Sequence, residues 1–306
     1  MKKTLLITGH DGFVGRSLLD WLPGSAWADR VTPALPPPGF DLRNPEAVAA
    51  LVTATRPDWV LHLAAQSHVP TSFADPVGTL EVNLIGTTRL LQALGAQGFA
   101  GRFLYVSSAD LYGAVDPALL PVTEATPLQP ANPYAVSKAA AEMMCRQWQR
   151  AHGLSVLIAR PFNHVGAGQR PEFALSGFAQ TIAGIRLGLR PPRIPVGRLD
   201  VTRDFTHVLD ICEGYLALLD RGVAGQTYNL CSGRERSLAD LLQRLLTLAD
   251  CQAAIEPDPA RLRPVDLARM VGDAALAARD TGWAPVRELD SALLDMIDYW
   301  KAALQK

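Results

Sequence analysis

The chain has 306 residues, 48% of them hydrophobic and 19% charged, with 29 Lys plus Arg set against 30 Asp plus Glu for a formal net charge of −1. That length supports one large or two medium domains around a substantial core. The near-neutral balance gives no electrostatic case for nucleic acid or a membrane surface, and no apolar run approaches the roughly 18 residues that suggest a membrane span.

The opening "MKKTLLITGHDG" superficially resembles a secretion leader, but its apolar run breaks at a glycine-rich turn. A buried first strand over 4–9 is the better reading, and "GFVGRSLLDWL" (12–22) follows with helical spacing. "LPPPG" (35–39) reads as a stiff loop. "WVLHLAA" (59–65) is a second apolar strand, and a helix runs through 78–96. "RFLYVSS" (102–108) and "SVLIARP" (155–161) repeat the pattern around a long helix. Near-continuous apolar strands alternating with amphipathic helices predict a parallel sheet covered on both faces. Beyond about residue 163 the rhythm loosens into Pro- and Arg-rich stretches, while "QTYNLCSG" (226–233) reads as a strand returning to the sheet. The expected fold is α/β: a doubly wound parallel sheet of the Rossmann type with a smaller C-terminal α/β lobe. Residues 1–163 plus about 204–232 would form the nucleotide-binding domain, and about 164–203 with 233–306 the substrate lobe. Cys145, Cys212, Cys231 and Cys251 are scattered, without CxxC or His-paired metal spacing. Reduced buried thiols in a cytoplasmic protein, with no metal, are expected.

Three stretches carry chemistry. Gly9, Gly12 and Gly15 are spaced GxxGxxG where the first strand turns into the first helix. Glycine there lets the backbone approach a pyrophosphate, whose charge meets free N–H groups at the helix start. Lys138 is the second signal, because only five lysines occur and it is the single one between residues 4 and 300. It follows Tyr134 by four residues, so both lie on one helix face. An ammonium there would draw the phenol pKa down from about 10, and its compact three-donor head suits ribose hydroxyls better than a guanidinium. Taken alone, Tyr-x-x-x-Lys fits equally well a solvated lysine beside a packing tyrosine. Third, Ser107 and Ser108 end an apolar strand, where open α/β sheets bind ligands. No Gly-x-Ser-x-Gly elbow supports a hydrolase.

The stretches "TGHDGFVG", "FDLRNPEAV", "HLAAQSHV", "NLIGTTRLL", "VSSADLYG", "NPYAVSKAAAE", "RPFNHVGAGQ", "RDFTHVLDI", "YNLCSG" and "LRPVD" run nearly end to end. In them the chain resembles the extended short-chain dehydrogenases/reductases, in the branch that acts on nucleotide sugars. The resemblance implies that Gly9, Asp11, Gly12, Phe13, Val14 and Gly15 wrap the cofactor pyrophosphate. Asp41 and Leu42 would flank the adenine, and Leu63, Ala64 and Ala65 would line the nicotinamide-side ribose. Ser108, Tyr134 and Lys138 would form the catalytic triad, with Tyr134 and Lys138 also against the cofactor. Ser108 with Asn163, Arg203 and Arg263 would hold a GDP-sugar, the arginines gripping its diphosphate through bidentate forks. The implied activity is reduction of a C4 ketone on that sugar. NADP(H) and NAD(H) both remain open, because "VTPALPPPGF" (31–40) carries neither the acid nor the base that usually selects between them. Asp110 fits either a turn cap or the carboxylate of a dehydratase. A same-fold epimerase or dehydratase, a reductase delivering to the opposite ketone face, and a non-catalytic dinucleotide sensor are the alternatives. The resemblance further implies a homodimer through a four-helix bundle of helices around 78–97 and 133–151, with Ala139, Ala140, Met143 and Met144 on the shared face.

Overall fold

The computed structural model describes residues 2–261 and 268–305. In chain order, the first half contains β1 (Lys3–Thr8), α1 (Phe13–Trp21), β2 (Val31–Ala34), α2 (Pro45–Thr55) and β3 (Trp59–His62). It continues with α3 (Val69–Ala74), α4 (Pro76–Leu80), a π turn (Glu81–Ile85), α5 (Gly86–Ala96), β4 (Arg102–Val106), α6 (Pro133–His152) and β5 (Ser155–Pro161). The second half contains β6 (Asn163–Val165), α7 (Ala174–Arg186), β7 (Arg193–Val196), β8 (Thr202–His207), α8 (Val208–Arg221) and β9 (Thr227–Leu230). It closes with β10 (Glu235–Ser237), α9 (Leu238–Leu248), β11 (Ala254–Pro257), β12 (Arg269–Met270), α10 (Ala275–Thr281) and α11 (Leu289–Leu304).

Six described strands form one parallel sheet in the order β2-β1-β3-β4-β5-β9. Its strands are largely apolar because both faces are covered, with Thr8, His62, Arg160 and Asn229 among the buried polar exceptions. Alternate residues go to opposite sides: Leu5, Ile7, Leu104 and Leu157 enter a core with α1 and α8. Leu6, Phe103, Tyr105, Val156 and Ile158 enter the other core, under α2, α5 and α6. The expected return of 226–233 to this sheet is realised in β9, which pairs with β5. The expected helix over 78–96 runs as α4, the π turn and α5 in succession.

The second half builds smaller sheets, β10-β8-β12 with β6 against β8, and β11 against β7. A third core lies among α7, α9 and α11. Two segments cross the expected domain boundaries. Residues 204–207 lie in β8, whose partners are β6, β10 and β12. Ala277 of α10 and Trp283 pack into the core beneath the large sheet, against α8. All four cysteines are buried and unpaired with one another.

Candidate active site

The glycine turn is built for close backbone approach. Gly9 has φ +73°, and a Cβ there would lie 2.6 Å from the Ala64 nitrogen; one on Gly15 would lie 2.5 Å from the His10 Cα. Leu63 and Ala64 are therefore brought against the turn, with the Leu63 N–H on the Thr8 carbonyl at 3.1 Å. Gly12 caps α1 without a side-chain hydrogen bond, and the first turn holds no acid. Phe13 and Val14 open this helix, so its positive end faces the cradle and suits a phosphate group. These residues fit a dinucleotide pyrophosphate: the cradle exists because no side chain fills it. Phe13 also stacks face to face on His164, 6.1 Å between centroids and 5° between planes.

At the cradle's other end, Leu42 is buried against Gly86. Asp41 binds the Arg43 guanidinium through both oxygens, at 2.8–3.1 Å. That hydrogen bonding holds the Asp41 carboxyl below its usual pKa, and occupies the base nearest the adenine-side loop.

The candidate catalytic groups converge because α6 begins where it does. Asn132 caps it by accepting from the Ala135 N–H, and Pro133 occupies the first helical position. Tyr134 thus falls in the first turn with Lys138 one turn on, both buried against the sheet. Ser108 follows β4 and caps the short turn Ala109–Tyr112, accepting the Asp110 N–H at 3.1 Å. It also lies close enough to the Tyr134 phenol to counter part of the rise in that group's pKa. Lys138 Nζ donates to the Val106 carbonyl at 2.5 Å and lies 4.7 Å from the centroid of the Tyr105 ring.

The electrostatics differ from the simple expectation. Burial brings the Lys138 pKa down to about 8, opposed by Cys145 and Glu142. Burial also pushes the Tyr134 phenol up, Asp110 adds to the rise, and Ser108 works against it. The expected downward pull of Lys138 on Tyr134 is not what governs this phenol. The ammonium is turned onto the Val106 carbonyl and the Tyr105 face, and desolvation outweighs it. Ser107, by contrast with Ser108, keeps a buried hydroxyl without a hydrogen-bond partner among the described residues.

The substrate-side residues come from separate strands. Asn163 opens β6 and pairs in register with Phe205 of β8, two residues past Arg203. Arg203 donates to the Thr202 carbonyl at 2.8 Å. Arg263 lies outside the described residues.

Sequence reasoning passed over three groups. Asn83, in the π turn, accepts from the Gln66 N–H and donates to the Gln66 carbonyl and Ser137 Oγ; Ser137 in turn donates to the Tyr134 carbonyl. It ties the loop after β3 to the start of α6, and a lone Asn in an apolar helix was the available signal. Asp204, fully buried, accepts from Ser232 Oγ and from the Ser232, Gly233 and Gly272 backbone N–H groups. Its signal was an acid next to Arg203 in the stretch "RDF". The antiparallel register also sets Arg236 of β10 directly opposite Arg203, on one sheet face.

A glycine turn and a cluster of half-buried Ser108 with buried Tyr134 and Lys138, at the C-terminal edge of a parallel sheet, define an extended short-chain dehydrogenase/reductase of the nucleotide-sugar branch. Residues 38–296 match the family model for GDP-mannose 4,6 dehydratase, and the chain belongs to that family. It is 42% identical over its full length to all of the GDP-6-deoxy-D-mannose reductase of Pseudomonas aeruginosa. It is also 30% identical to the GDP-6-deoxy-D-talose 4-dehydrogenase of Aggregatibacter actinomycetemcomitans, over 88% of each chain. The structure of RMD from Pseudomonas aeruginosa complexed with NADPH superposes with TM-score 0.92 at 41% identity, covering 99% of this chain and 100% of that one.

Proposed function

We propose that this chain is a nucleotide-sugar 4-ketoreductase that converts GDP-4-keto-6-deoxy-D-mannose to GDP-D-rhamnose with NADPH or NADH. The observation that carries the reading is a buried phenol, kept in its acid form by burial, one helical turn from buried Lys138 and beside Ser108. A reduced nicotinamide supplies hydride to a ketone carbon when bound. The developing alkoxide then needs a proton, and Tyr134 is the donor in reach. Ser108 receives the Asp110 N–H on its oxygen, and its hydroxyl proton would turn from the phenol to orient the substrate carbonyl. Lys138 would hold ribose with its ammonium, and Gly9, Asp11, Gly12, Phe13, Val14 and Gly15 the pyrophosphate. Leu63, Ala64, Ala65, Asp41 and Leu42 would complete the cofactor contacts, while Asn163, Arg203 and Arg263 take the substrate diphosphate. The whole-chain identity to a reductase supports this reading.

A dehydratase is the second reading, favoured by the Asp110 carboxylate close enough to bias Tyr134. One experiment separates them: the purified chain is incubated with GDP-4-keto-6-deoxy-D-mannose and NADPH or NADH, and products are read by NMR. Stoichiometric oxidation of the cofactor with GDP-D-rhamnose formed supports the reductase. A 6-deoxy-talose product reassigns the ketone face, and no net cofactor consumption rejects the reading.

We also infer a cytoplasmic homodimer; no described helix is long and apolar enough to cross a membrane. Phe73, Val77, Ile85, Val136 and Met143 are exposed apolar side chains on the elements from α3 to α6, which supports such an interface. Of the expected contacts, Met143 is outward-facing whereas Met144 packs partly into the core. Sedimentation showing a monomer at micromolar concentration would reject the dimer.

A further inference from the structure

Behind the site lies a charged cluster that the chemistry above leaves unused. Arg160 of β5 and Glu142 of α6 are 4% and 2% exposed. Arg160 donates Nε and Nη2 to the two Glu142 oxygens at 2.9 and 2.7 Å. Its Nη1 donates to the Tyr112 hydroxyl at 3.1 Å, and Tyr112 donates onward to Asn229 Oδ1 of β9 at 2.6 Å. Asn229 is itself held by donation to the Val122 carbonyl and to Glu124. The Tyr112 hydroxyl therefore has both its donor and its acceptor direction fixed.

The two ends of this network are the informative part. Glu142 follows Lys138 by four residues and Tyr134 by eight, on the same buried face of α6. Tyr112 closes the short turn that Ser108 caps. One continuous set of hydrogen bonds thus connects the helix carrying Tyr134 and Lys138 to the turn carrying Ser108 through Arg160 of β5, with Asn229 of β9 anchoring Tyr112 from the next strand. Buried ion pairs are poor devices for raw stability, since well-packed apolar replacements often do as well. Geometry is what a bidentate guanidinium–carboxylate pair supplies.

We propose that Glu142, Arg160 and Tyr112 are positioning residues that set the Ser108 hydroxyl against the Tyr134 phenol for ketone reduction. The inference rests on the reductase reading above. A displacement of about 1 Å at a reacting centre can cost on the order of 100-fold in rate, so a partial loosening should cost about tenfold in kcat.

Glu142→Gln alone would strand a buried guanidinium and can fail to fold. The test therefore uses Tyr112→Phe, which keeps the ring, and the paired Glu142→Met/Arg160→Met, which removes both charges together. Each is compared with wild type by kcat, KM for the GDP-sugar, NADPH affinity by fluorescence titration, melting temperature, and amide hydrogen exchange over 107–114. The expected result is kcat lowered about tenfold in both variants, with KM and NADPH affinity within about twofold. Exchange over 107–114 should quicken, and adding Tyr112→Phe to the paired variant should lower kcat no further. Wild-type kcat in Tyr112→Phe with unchanged exchange over that turn overturns the brace, as does a kcat loss that multiplies across the combined variant. If wild type does not turn over, the reductase reading fails by itself. Hydrogen exchange in the two variants then decides the brace without substrate.

Discussion

The two halves of the site are made in different ways. On the nucleotide side, the proposed reacting groups Tyr134 and Lys138 sit on consecutive turns of one helix with Ser108 at a strand end, and buried contacts hold that helix in place: Lys138 to Val106, and Glu142 to Arg160. On the proposed substrate side, arginines stand on short strands among half-exposed ion pairs such as Arg198–Asp200 and Arg269–Glu235. Proton transfer tolerates little displacement and needs a dry, rigid setting. Gripping a diphosphate needs charge and reach, which exposed guanidiniums supply through many geometries. Damage to the first half should therefore appear in kcat, and damage to the second in KM.

Tyr134→Phe should show the largest effect, a loss of about 10²–10⁴-fold in kcat with NADPH affinity nearly unchanged. Wild-type turnover in that variant would remove Tyr134 from the chemistry. Lys138→Arg should also lose most activity despite retaining charge, because the planar head does not fit the space between Val106 and the Tyr105 ring. Steady-state kinetics of the arginine variant test it, and normal kcat would break the contrast between the halves. Arg203→Ala should lower kcat/KM for the GDP-sugar by about 10–150-fold, the value of a charge-assisted contact of roughly 1.5–3 kcal/mol. The loss should fall on KM, with NADPH affinity unmoved; the opposite pattern would place Arg203 at the cofactor.

The smallest expected effect is on stability. Lys138 titrates near 8 in the folded chain against an ordinary 10.5, so the unfolded chain binds more protons between those values. Its charge thus penalises the fold most below about pH 8, and the penalty is relieved as pH rises toward 10.5. The melting temperature of wild type relative to Lys138→Met should climb over that window. A flat difference would mean that Lys138 is not desolvated as described.

What was legible follows the same division. Gly9, Gly12 and Gly15, the Tyr134–Lys138 spacing and the strand-end Ser108 are local patterns, written within a few residues and dictated by helix and turn geometry. The second lobe is assembled from pairings such as Asn163 with Phe205 and Arg203 with Arg236, across some forty and thirty residues of chain. No local periodicity announces them. Residues 204–207 were expected in the first domain because a short strand does not by itself say which sheet it joins. The electrostatic reading of Lys138 erred for a related reason. Helical spacing places it beside Tyr134, but the carbonyl and ring that claim its ammonium come from β4, thirty residues upstream.

The way the chain passes between the two sheets has a mechanical consequence. β5 ends at Pro161 and β6 begins at Asn163, so one residue, Phe162, makes the crossing; it is buried, and its ring fills the space beside Gly272. At the return, β8 ends at His207 and α8 starts at Val208. Neither crossing contains spare chain in which backbone torsions could swing freely. These two crossings therefore couple the lobes stiffly, whereas residues 231–234 and 271–274, which join the same sheets again, hold more chain, so loading and unloading of a spent nicotinamide should proceed through movements on that side.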